Sequence, residues 1–362
     1  MPVGDTGLTI TLTSNKLHPD DVMKSTTISA HPSLGSEDKD YLLLTNIHRK
    51  RIHEGQASPL LSSFVVCCTV VYRRSSSSKK LHTTTANSEP CSLGGSLCAE
   101  RAALSSLPSL VPDLSQILSV YILSDSPKPI TPGFLCREYM NTRFPLRILD
   151  PERVKVCLAG TGSDGEVDES SVTSCKLSTF YPAPSLYKGL RVSSYAFVGL
   201  QLCQPCGAQD SRLETLYSEC LASSAAAADP SLLPSDAFHK VKYSAGCLFR
   251  SGATIVSRQI IGLEYGTSID PVGMLAERIV AAASAGVGGV EAVMVVDNYG
   301  GVHAPFAVGR AVLGEMGERC GVQEADCYFH EWAEGGEVVL RSIKVKDLCA
   351  GLPEFQVSEL NK

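Results

Sequence analysis

Basic charge is scarce in this 362-residue chain, with 32 Lys and Arg against 38 Asp and Glu and a net charge of −6. A protein that grips DNA or RNA is expected to present a basic face, so the balance argues against a polyanionic substrate. The only basic clusters read as ordinary surface. His48-Arg49-Lys50-Arg51 falls on what should be the solvated face of a helix over about Asp38 to His53, and Arg73-Arg74 with Lys79-Lys80 brackets Ser75 to Ser78 as a hairpin loop. No apolar run reaches the length of a membrane span. Met1 to Asp21 has no positive region or Arg-rich amphipathic character, so no targeting peptide is expected. The 14 cysteines are irregularly spaced, several inside apolar runs, and read as reduced thiols of a cytoplasmic protein rather than a disulfide framework. The length allows two domains with sizeable cores, and 44% hydrophobic with 19% charged residues is globular composition.

Against that background two short segments carry chemistry. Cys98-Ala99-Glu100-Arg101 opens a helical stretch to Ser106, and Thr131-Pro132-Gly133-Phe134-Leu135-Cys136-Arg137 leads into another to Thr142, after the apolar run Ile117 to Leu123. A thiolate suits a helix N-terminus, where unpaired N–H groups and the positive dipole end lower its pKa. A catalytic zinc site needs three protein ligands and an open fourth position. Cys98 and Cys136 supply two of the three, and Glu100 would point into the same cavity. Upstream, Asn87-Ser88-Glu89 forms an Asn-x-Glu arrangement, and Ser58-Pro59-Leu60-Leu61-Ser62-Ser63-Phe64-Val65 leads into a strand over Phe64 to Tyr72.

These segments together resemble the cytidine deaminases that act on free pyrimidine nucleosides, over roughly residues 36 to 350. In that family a Cys or His before Ala-Glu and two Cys of a later Pro-Cys-x-x-Cys hold Zn²⁺, while the Glu shuttles protons without ligating the metal. The resemblance implies that Cys98 and Cys136 are metal ligands and Glu100 the catalytic acid and base. It also implies that Asn87 and Glu89 bind the sugar, and that Phe64 and Ala99 line the pyrimidine site. The reaction it implies is zinc-assisted hydrolysis at C4 of cytidine or 2'-deoxycytidine, with Glu100 carrying a proton to N3 and then to the leaving amine.

One departure stands at the centre of the motif: Gly133 occupies a position where the family has a ligand Cys. Three arrangements follow. Zinc is held by Cys98 and Cys136 with a substitute ligand, for which Cys91, Cys67, Cys68, His82 and Asp125 are the candidates; or by the two thiolates with an additional water; or there is no zinc, and the protein is a catalytically inactive deaminase-fold nucleoside-binding or assembly protein. A separate Cys203-Gln204-Pro205-Cys206 lacks further partners at metal-ligand spacing and reads as a loop feature.

The second half echoes the first. Leu275-Ala276-Glu277-Arg278 matches Cys98-Ala99-Glu100-Arg101, Pro305-Phe306-Ala307-Val308-Gly309-Arg310 matches Pro132 to Arg137, and Glu264 stands roughly where Glu89 does. Read this way, its metal positions are Leu275, Phe306 and Gly309, none of them a ligand. The expected architecture is α/β: two cytidine-deaminase-like three-layer α/β/α domains in tandem, the second degenerate. The expected boundaries are an appendage over 1–35, a catalytic domain over 36–160, a linker and crossover over 161–210, the degenerate domain over 211–350 and a tail over 351–362. The family resemblance further implies a homodimer, a small pyrimidine nucleoside as ligand, and no nucleic-acid or membrane partner.

Overall fold

A computed structural model describes residues 34–55, 59, 62–75, 77–89, 96–110, 117–142, 154–187, 195, 210–226, 240–262, 268–332 and 338–349. The chain divides into two compact units that meet in sequence between Pro182 and Ala183. Each is α/β with a mixed sheet. Among the described residues no helix is long and apolar enough to cross a membrane, and no cysteine forms a disulfide.

The first unit begins with helix α1, Ser36–Glu54. Glu37 and Asp38 sit in its first turn and Arg51 and His53 in its last, the arrangement that the helix dipole favours. Its buried stripe is Leu42, Thr45, Asn46 and Arg49, at the spacing of one helical face. The sheet strands are β1 (Val66–Tyr72), β2 (Leu81–Ala86), β3 (Ile117–Ser124), β4 (Lys155–Ala159) and β5 (Thr173–Lys176), in the order β2-β1-β3-β4-β5. All neighbours are antiparallel except β3 and β4. Both faces of β1 are covered, so it is apolar along its length except for Thr69, with its side chains sorted by the two-residue period of a strand. Cys68, Val70 and Tyr72 join one core cluster with α2 (Ala99–Leu110), α3 (Phe134–Thr142) and α4 (Leu177–Phe180). Val71 joins the opposite cluster with Leu42 of α1.

Two expectations are corrected in this unit. Arg49 is not on a solvated face: it is 6% exposed and reaches Asp125 Oδ1 at 2.5 Å, Gly165 O at 2.7 Å and Asn46 Oδ1 at 3.0 Å. Helical spacing shows only that Arg49 shares a stripe with Leu42; its anion partner comes from a distant loop. Residues 161–182, expected to begin a linker, belong to the first unit. Strand β5, Thr-Ser-Cys-Lys, is short and polar because it closes the sheet edge, and so carries no apolar run to announce it.

The second unit is built from α5 (Ser211–Ala226), β6 (Tyr243–Phe249), β7 (Thr254–Arg258), α6 (Ala276–Ser284), β8 (Val290–Asp297), β9 (Val302–His303), α7 (Ala307–Cys320), β10 (Asp326–Trp332), β11 (Val338–Lys344) and α8 (Val345–Leu348). Its sheet order β7-β6-β8-β10-β11 repeats that of the first unit, again with a single parallel pair, β8 with β10. Individual bonds repeat as well. Val65 N donates to Asp125 Oδ2 as Lys242 N donates to Asn298 Oδ1. The bridge Ser88–Leu97 has its counterpart in Ile260–Ile269, and Thr85 Oγ1 donates to Ala99 O as Ser257 Oγ donates to Pro271 O.

This correspondence moves the second motif. Asp270, not Leu275, follows the bridge at the place Cys98 holds in the first unit, and Val272 stands where Glu100 does. The shift arises because the 3₁₀ turn Gly273–Leu275 is interposed before α6, which displaces the Ala-Glu-Arg string by about one helical turn. Asp270 Oδ1 steadies the entry to that turn by accepting the N–H groups of Val272 and Gly273. Residues 1–33 and 350–362, Glu264, Cys91 and the Cys203–Cys206 pair lie outside the described residues.

Candidate metal centre

The site of the first unit is assembled at two helix starts. Backbone bonds in both directions between Ser88 and Leu97, each 2.9 Å, fix the approach to α2. Cys98 then caps the helix, its carbonyl accepting Ala102 N at 3.0 Å. Glu100 lies in the first turn and is 4% exposed.

The second helix start is held by an arginine. Arg137 is fully buried, and its Nε donates to Pro132 O at 2.6 Å, Nη2 to Thr131 Oγ1 at 3.1 Å and Nη1 to Phe180 O at 3.3 Å. Its guanidinium also lies 4.7 Å from the Phe134 ring centre. These bonds tie the turn 131–134 to the helix that carries Cys136, which is 1% exposed. Arg310 does the same in the second unit, donating from Nε to Pro305 O at 2.7 Å and from Nη2 to Ala183 O at 2.8 Å. The recurrence of Arg directly after the second motif is the sequence signal that could have identified this positioning role.

Cys98 Sγ, a Glu100 carboxylate oxygen and Cys136 Sγ all lie within 4.8 Å of one another, a group able to hold a metal ion. The two thiols stand side by side. The hydrogen bond from Cys136, helped by the nearby Arg101 guanidinium, pulls the Cys98 pKa down to about 6 against the opposing effect of burial. The same hydrogen bond, with burial and the Glu100 charge, pushes Cys136 well up. Burial foremost, then the Cys98 thiolate, raises Glu100 to about 7. Arg101 Nη2 lies 3.8 Å from Cys98 Sγ and donates to Ser96 O at 2.8 Å. One thiolate ready to ligate, a second thiol beside it and a cation balancing their charge make a donor set that fits zinc.

Gly133 brings no donor. A Cβ placed on it would meet nothing within 4 Å, so a side chain has open space there. None of the described candidates for a substitute joins the group. Asp125 is committed to Arg49, to His53 Nε2 at 2.9 Å and to Val65 N at 2.7 Å. His82 packs edge-on against Tyr41. Cys67 feels Arg49 and Asp125, on the α1 side of the sheet. Cys68 faces the α2 layer without entering the donor group.

The remaining predicted residues gather where β1 begins. Asn87 Oδ1 accepts Val66 N at 2.8 Å and its Nδ2 donates to Phe64 O at 3.0 Å. Glu89 accepts from Ser62 N at 2.9 Å and from Ser62 Oγ at 2.8 Å. Phe64 is half-buried, and Ala99 is fully buried in the core with its carbonyl bonded to Thr85.

No family model matches the chain, and no curated protein does. Solved structures similar to part of it are cytidine deaminases. That of Burkholderia pseudomallei is 22% identical at a TM-score of 0.27, over 38% of this chain and 98% of that one. That of Mycobacterium leprae is 19% identical at 0.27 over 38% and 98%, and that of Bacillus anthracis 12% identical at 0.25 over 42% and 93%.

Proposed function

We propose that the protein is a metal-dependent hydrolase that deaminates cytidine or 2'-deoxycytidine, giving uridine or 2'-deoxyuridine and ammonia. The observation that carries the proposal is the convergence of half-buried Cys98 with buried Glu100 and Cys136 in one donor group. Zinc would be held by Cys98 and Cys136, and when bound it supplies Lewis acidity that activates water near neutral pH. Glu100 does the proton work. With its pKa raised to about 7 by burial, it would take a proton from water and deliver it to N3 of the ring, then take the proton of the hydroxyl added at C4 and pass it to the departing amine. The half-buried Asn87 and Glu89 flank Ser88, whose bridge partner Leu97 precedes Cys98, and in this reading they position the ribose hydroxyls. Phe64 and Ala99 take the pyrimidine side of the site.

The second unit is proposed to be a non-catalytic copy of the first. Its repeated strand order and bonds support that reading, and Asp270, Phe306 and Gly309 stand where Cys98, Gly133 and Cys136 do. A homodimer is proposed on the resemblance, and a cytoplasmic location on the irregularly spaced cysteines read as reduced thiols. The absence of a ligand side chain at Gly133 favours a second reading, a deaminase-fold protein that binds nucleosides without turnover.

Metal content and ammonia release measured on one purified sample, with cytidine and deoxycytidine, decide between them. About one zinc per chain with turnover supports the enzyme. Zinc-free folded protein that releases no ammonia, prepared without chelator and still inactive after zinc is added, overturns it.

A further inference from the structure

We infer that in the substrate-free protein Glu100 is itself the third metal ligand, so that the ion is held by Cys98, Glu100 and Cys136. The inference rests on the metal site of the proposed function, and it departs from the family pattern in which this Glu does not ligate. Zinc bonds of about 2.0–2.3 Å set at tetrahedral angles separate their donor atoms by roughly 3.5 Å. Three donors already within 4.8 Å of one another reach that spacing through small side-chain movements.

Three observations point the same way. The position that would bring a third thiolate is Gly133, and it brings none. Among the described residues the other candidates are spent elsewhere or stand outside the group. Glu100 is a 4% exposed carboxylate standing beside both thiol sulfurs, and a buried carboxylate is stable as an anion when it binds a cation. Charge closes as well. Two thiolates and one carboxylate on a divalent ion leave a single negative charge, and the Arg101 guanidinium beside Cys98 Sγ balances it.

A consequence is that Glu100 would have to release the ion before it could carry protons. The test titrates metal-free protein with Zn²⁺ against a chromophoric chelator, for the wild type, Glu100→Gln and Glu100→Cys, with circular dichroism reporting the fold. Glu100→Gln is expected to weaken zinc binding by about tenfold or more, and Glu100→Cys to hold zinc at least as tightly as the wild type. Zinc binding by folded Glu100→Gln within about twofold of wild type overturns the inference. Should Glu100→Gln fail to fold, a crystal structure of the zinc-loaded wild type decides: a Glu100 oxygen at about 2.0–2.2 Å from the metal supports the assignment, and one beyond roughly 3 Å refutes it. Ammonia release is assayed separately. Wild type that binds zinc through Glu100 yet releases no ammonia refutes the deaminase reading alone, whereas wild-type turnover together with unweakened zinc binding by Glu100→Gln refutes the ligand assignment alone.

Discussion

Replacing Gly133 by Cys supplies the thiolate that the motif lacks, and the structure sets what this should do. A Cβ at residue 133 meets no atom within 4 Å, and the position is not among the glycines with positive φ, so an L residue fits without steric or backbone strain. Residue 133 directly precedes α3, with its carbonyl accepting Arg137 N at 3.0 Å, and that bond does not depend on the side chain. Stability of the metal-free protein should therefore change by less than about 1 kcal/mol. Four-ligand zinc sites bind with roughly 10–16 kcal/mol, or about 3 kcal/mol per ligand. At 1.4 kcal/mol per decade a third thiolate should tighten zinc about a hundredfold. Chelator competition measures the change directly, and urea unfolding of the metal-free protein checks that the fold is intact. If Gly133→Cys is folded and binds zinc no better than wild type, Gly133 does not face the ion and the reading of the site is wrong.

The buried Glu100 makes stability depend on pH. Its pKa rises from an ordinary 4.5 to about 7 on folding, so the folded state favours the protonated acid: the contribution is fully present below about pH 4.5 and lost as pH rises through 7. Glu100→Gln removes this dependence and should stabilise the metal-free protein by up to about 3 kcal/mol at pH 8, with little effect at pH 4, as read by urea unfolding; equal effects at both values would count against it. Cys98 runs the opposite way, its depressed pKa favouring folding above the range of an ordinary thiol and losing that contribution as pH falls through about 6, so the comparison must be made between variant and wild type. Arg137→Met strips a buried cation from the Pro132 and Phe180 carbonyls and from Thr131 Oγ1, and should cost about 3–5 kcal/mol in denaturant unfolding together with zinc affinity; a loss under 1 kcal/mol would show that the turn holds itself. Asn87→Ala should raise KM for the nucleoside and, because Asn87 bridges Val66 N and Phe64 O, lower stability by about 1–3 kcal/mol. An unchanged KM removes Asn87 from the sugar site.

The sequence determined what depends on neighbours along the chain. The α/β alternation, the strand over Ile117 to Ser124 and the two helix starts bearing Cys98 and Cys136 were all legible, because strand and helix periods and the chemistry of helix ends are local properties. The tertiary structure decided what depends on residues brought together from afar. It buried Arg49, which the sequence placed on a solvated face, because Asp125 and the Gly165 carbonyl arrive from distant segments to receive its charge. It moved the second motif from Leu275 to Asp270, because an interposed 3₁₀ turn carries no mark in a comparison of letters. And it showed that the space at Gly133 stays open while Glu100 stands with the two sulfurs, a matter of where two separate chain segments converge, which spacing within either of them does not contain.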